Sequence, residues 1–95
     1  SSAVAGAAAN IKKAVADIDN HPDKFFIIAG HSSGAAISNR IAELAKDPSH
    51  FRLVTLDGFT PNKALQKRVD STCWYGQNGN SLSANGGAMK SNCIK

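Results

Sequence analysis

Phe25-Phe26-Ile27-Ile28-Ala29-Gly30-His31-Ser32-Ser33-Gly34-Ala35-Ala36 decides the fold of this chain. A continuously apolar run ends in G-x-S-x-G, and an Ala-rich helical pattern follows at once. An unbroken apolar run of this length fits a strand covered on both faces, as in parallel sheets. Gly30 and Gly34 carry no Cβ, so strand and helix can approach closely on either side of Ser32. Ser32 is then expected on a strained corner with its hydroxyl raised above the sheet edge. The N–H of Ser33 opens the following helix and can point into the same space.

Working outward, the periodicity predicts a helix over residues 3–19, with Val4, Ala8, Ile11, Val15 and Ile18 as its apolar stripe. Pro22 disfavours helical backbone at His21 and ends it. The first strand is expected over Phe25–Ala29. A second helix is expected over 34–46, burying Ile37, Ile41 and Leu44 and turning Asn39, Arg40, Glu43 and Lys46 to water. Phe51–Leu56 reads as the second strand and ends at Asp57-Gly58. Thr60-Pro61 reads as an N-cap with proline at N1, opening a short helix to about residue 69 that can bury Ala64, Leu65 and Val69. Thr72–Tyr75 reads as a third strand. The alternation of helix and strand predicts an α/β fold with a parallel βαβαβ sheet.

Composition bounds the rest. The chain has 95 residues, is 42% hydrophobic and carries a net charge of +4. That is enough for one small domain, and its apolar content argues against disorder. The basic residues are scattered, so no nucleic-acid stripe is expected. No apolar run approaches the length of a membrane span. No H-x-x-x-H or C-x-x-C suggests a metal site, and no cofactor is implied. Residues 76–92 are rich in Gly, Asn and Ser and read as a long loop. Cys73 and Cys93 flank it. Count alone leaves them as buried free thiols or one bridge. A bridge would tether the loop, stabilising the chain by on the order of 3 kcal/mol, and would imply an oxidising or secreted setting.

Ile28-Ala29-Gly30-His31-Ser32-Ser33-Gly34 resembles the nucleophile elbow of the α/β-hydrolase family, in its lipase and esterase branch. Many members carry Gly where this chain has Ala35. Leu53-Val54-Thr55-Leu56-Asp57 is similar to the strand bearing the catalytic acid in pancreatic-type lipases, which usually place Pro where this chain has Gly58. The resemblance covers about residues 3–76. It implies Ser32 as nucleophile, the Ser33 N–H as one oxyanion donor, Asp57 as the acid, and an ester or lipid substrate. The topology agrees on Asp57, the one carboxylate expected at the carboxyl edge of the sheet beside Ser32.

The family's order is Ser, acid, His. His21, His31 and His50 all precede Asp57, and His31 is expected to leave the turn away from Ser32 and pack beside the sheet. The second oxyanion N–H normally comes from an earlier loop. The expectation is therefore a partial α/β-hydrolase domain over 1–95, its core at 3–76 and its loop at 77–95. It is the central fragment of a serine hydrolase, whose histidine and oxyanion loop come from the remainder of the enzyme or a second chain. Two other readings stay open: a non-catalytic hydrolase-fold binding module, and an anion- or nucleotide-binding βα unit with Gly30–Gly34 cradling phosphate. The plain structural alternatives are an N-capping role for Ser32 and a turn-capping role for Asp57.

Overall fold

A computed structural model describes residues 2–58, 63–75, 90, 91 and 93. The elements run α1 (Ser2–Gly6), α2 (Ala8–Asp19), β1 (Phe26–His31), α3 (Ser33–Leu44), a 3-10 turn (Pro48–His50), β2 (Phe51–Leu56), α4 (Lys63–Arg68), β3 (Ser71–Tyr75) and β4 (Lys90–Ser91). They form one open sheet in the order β1-β2-β3-β4. The first three strands are parallel, and the short β4 pairs antiparallel to β3. This is the parallel α/β arrangement expected from the alternating pattern. The Thr60-Pro61 cap and most of the Gly/Asn/Ser-rich stretch lie outside the described residues, but the end of that stretch is not loop as expected: Lys90–Ser91 pairs with Trp74 and Tyr75 as β4.

The expected first helix is two helices. Ala7 breaks it in a non-helical conformation, directly after Gly6, a weak helix former. Ile11 and Ile18 are buried as expected, whereas Ala8 is exposed.

The helices cover one face of the sheet. The core joins Ile18 of α2, Ile28 of β1, Ala42 and Ala45 at the end of α3, Phe51 and Leu53 of β2, and Leu65 and Val69 at α4. Ala64 is exposed rather than buried. The Arg68 guanidinium donates to the carbonyls of Ala42 and Ala45, so α4 caps the carboxyl end of α3. On the opposite face Ile27, Ala29 and His31 are exposed, and Ile27 keeps 61% of its surface.

The buried side of α3 differs from the expected stripe. Ala35, Ser38, Asn39 and Ala42 are buried, while Ile37 and Ile41 are half-buried and Leu44 is 42% exposed. The cause is close approach. A Cβ on Gly30 would lie 2.3 Å from both the Gly34 carbonyl oxygen and Ser38 Oγ. At that separation only small side chains fit between helix and strand. The larger isoleucines move aside and line a groove of about 510 Å³ along the outer edge of β1.

Candidate functional site

β1 and β2 run side by side in register, with His31 opposite Leu56. Ser32 and Asp57 therefore leave adjacent strands at the same edge. The Ser32 N–H donates to the Leu56 carbonyl at 2.8 Å, and the Asp57 N–H donates to the Trp74 carbonyl at 2.9 Å. Among the described residues, Ser32 (φ 56°) and Asp57 (φ 55°) are the non-glycine residues with positive φ. Such backbone costs about 1–3 kcal/mol per residue and clusters at functional sites.

Ser32 precedes the first residue of α3 with ψ −121° and is exposed. Its side chain makes no capping hydrogen bond to the helix. Ser32 thus occupies the N-cap position of α3 without a side-chain capping bond. The N–H of Ser33 is the first donor of α3, at the helix end where backbone N–H groups lack an intrahelical acceptor, while the Ala35 N–H bonds the Ser32 carbonyl at 3.0 Å. Gly30 supplies the close approach expected of it. Gly34 does not: a Cβ there would meet nothing within 4 Å.

The histidines separate cleanly. His21 Nδ1 lies 2.7 Å from the Asp17 carbonyl oxygen, and His50 Nδ1 lies 3.0 Å from the Lys24 carbonyl oxygen; both residues precede strands, at the edge opposite Ser32. His31 was expected to pack beside the sheet. Instead its ring stands on the uncovered face with 60% of its side chain exposed, and Nε2 lies 3.1 Å from Asp57 Oδ2. The Asp57 side chain is 5% exposed. The carboxylate therefore already holds an imidazole, and it belongs to this chain. The signal for this pair was the strand's period of two. β1 continues through Gly30 to His31, which puts His31 on the face of Ile27 and Ala29.

Gly58 is the other residue that the motif reading undervalued. It is buried, and a Cβ there would lie 2.3 Å from Ala35 Cβ. The two departures from the lipase pattern, Ala35 and Gly58, thus face each other. The methyl present at 35 fills the space that a side chain at 58 would need.

Cys73 and Cys93 form a disulfide across 20 residues, with Cα atoms 5.4 Å apart. Among the described residues, no three His, Cys, Asp or Glu side chains are grouped to hold a metal. No described helix is long and apolar enough to cross a membrane. No protein-family model, curated protein or solved structure matches this chain.

Proposed function

We propose that this chain is the central part of a serine hydrolase of acyl esters, lipase- or esterase-like. The observation that carries the reading is Ser32: an exposed hydroxyl, uncommitted to helix capping, on a left-handed turn between a parallel strand and a helix N-terminus. Ser32 Oγ attacks the ester carbonyl. The Ser33 N–H stabilises the tetrahedral oxyanion, the ester C–O bond breaks and the alcohol leaves with the proton taken from Ser32, and water then hydrolyses the acyl enzyme to the free acid. Asp57 orients the histidine that takes the Ser32 proton, and that histidine comes from outside these residues. No cofactor takes part.

The uncovered sheet face and the groove along β1 support a site completed by further segments, from the same enzyme or a second chain. The disulfide is compatible with an oxidising compartment, and a secreted or otherwise oxidising setting is part of this proposal.

A second reading, a hydrolase-fold binding module without catalysis, is favoured by one observation. The imidazole that meets Asp57 comes from His31, the residue adjoining Ser32 in the chain. Fluorophosphonate labelling of the intact protein separates the two. The hydrolase reading expects a covalent adduct on Ser32 by peptide mass spectrometry, absent in Ser32→Ala. A folded protein in which Ser32 stays unlabelled leaves the binding module.

A further inference from the structure

The disulfide closes against the backbone of the candidate acid. The Gly58 carbonyl oxygen lies 3.2 Å from Cys73 Sγ and 3.7 Å from Cys93 Sγ. Bridged sulfurs carry no proton, so these are packing contacts. On its other side Gly58 abuts Ala35 in the first turn of α3. Gly58 is therefore clamped between the helix that follows Ser32 and the cystine. One residue earlier, the Asp57 N–H bonds the carbonyl of Trp74, the neighbour of Cys73. Asp57 itself sits at φ 55°, a backbone conformation that a Cβ disfavours in general and that aspartate tolerates better than most residues. It keeps that conformation because the residues around it are held.

We propose that the Cys73–Cys93 cystine positions Asp57 for ester hydrolysis, an inference that rests on reading Asp57 as the acid of a serine hydrolase. With the bridge closed, both sulfurs wall in the Gly58 carbonyl, and the Asp57 carboxylate stays buried and aimed at an imidazole. With the bridge open, the Cys93 sulfur departs and that wall is halved. Asp57 can then relax out of its left-handed conformation. The cystine thus acts on catalysis through the acid and touches neither substrate nor Ser32.

The test uses the intact protein in three states: oxidised, Cys93→Ser, and reduced by dithiothreitol then reoxidised. In the reduction the Cys73–Cys93 S–S bond breaks and one forms within the reagent. Two electrons and two protons pass to the cysteine sulfurs. Cys93 is half-buried and Cys73 stays in place, so Cys93→Ser opens no core cavity.

Two readouts are followed, the 15N resonances of the His31 imidazole and the steady-state hydrolysis of a short p-nitrophenyl ester. Opening the bridge is expected to shift the His31 resonances. It should lower kcat about 100-fold, the scale of an ångström-sized misplacement, with KM little changed, and reoxidation should restore both. His31 resonances that do not move between the oxidised and opened states overturn the proposal, whatever the turnover. Unchanged kcat in an enzyme that labels at Ser32 overturns it as well. Shifted His31 resonances in a protein that hydrolyses no ester in any state support the coupling of cystine to Asp57 and overturn the hydrolase reading instead.

Discussion

Gly58→Ala is expected to destabilise the protein through one contact, and Ala35→Gly is expected to rescue it. A Cβ built at Gly58 lies 2.3 Å from Ala35 Cβ, whereas carbon atoms pack at about 3.5–4.0 Å. Gly58 is not in the left-handed region, so the backbone accepts alanine and the cost is steric. Forcing one methyl into such a space costs about 1–3 kcal/mol. Ala35→Gly alone gives up a buried methyl, about 0.8 kcal/mol, and up to about 1 kcal/mol of helix preference. In the double variant the methyl has moved from 35 to 58 and the overlap is gone. The double variant should therefore be no less stable than Ala35→Gly alone, with a coupling energy of about 1–3 kcal/mol. Urea unfolding of the intact protein, followed by Trp74 fluorescence, measures all four corners of the cycle. Single-variant effects that add to within about 0.5 kcal/mol would show that the two residues do not meet, and the proposed clamp on Asp57 would go with them.

Residues 1–95 expressed alone are expected to be aggregated or molten. Phe25 and Ile27 are 64% and 61% exposed, and each such side chain left in water forfeits up to about 1.5–3 kcal/mol; a monomer with dispersed amide resonances and cooperative melting contradicts this. Asp57→Asn should slow fluorophosphonate labelling of Ser32 in the intact protein by at least 100-fold, and His31→Gln by less than tenfold; equal losses would make His31 the catalytic base. Asp47 is held below the usual carboxylate range by hydrogen bonds from the hydroxyl and the N–H of Ser49. A carboxyl lowered in the folded state contributes stability in full above its unfolded pKa of about 4, and that contribution fades as pH falls through the lower folded value. Asp47→Asn should accordingly flatten the acid limb of the stability curve. A wild-type-shaped limb in that variant would remove the pairing from consideration.

The three parallel strands were legible as short runs of apolar, aromatic and β-branched residues between turns, whereas β4 (Lys90–Ser91) was hidden in a polar stretch. Phe51–Leu56 was read to the residue, and Ser71–Tyr75 to within one position. The buried face of α3 was not legible, because ranking residues by hydrophobicity favours Ile37, Ile41 and Leu44. Close approach at Gly30 reverses that choice and selects Ala35, Ser38 and Ala42. The positions of Ser32 and Asp57 followed from the rule that ligands gather at the carboxyl ends of parallel strands. The His31–Asp57 pair did not follow, because it depends on β1 continuing past Ala29 through a glycine. The contact of Ala35 with Gly58 joins two residues far apart in the chain, and neither is unusual by itself.

The left-handed backbone at Ser32 and Asp57 also sets a direction for drift. At both positions glycine would take the same conformation at no steric cost, relieving backbone strain of about 1–3 kcal/mol against about 0.5–1 kcal/mol of added unfolded-state entropy. Backbone strain therefore favours glycine at both, opposed at Asp57 by the buried carboxylate's contact with His31 and at Ser32 by any use for the hydroxyl. Descendants freed from those demands should acquire glycine at 32 and 57 early. A copy that keeps serine and aspartate there retains backbone strain that its side chains must offset.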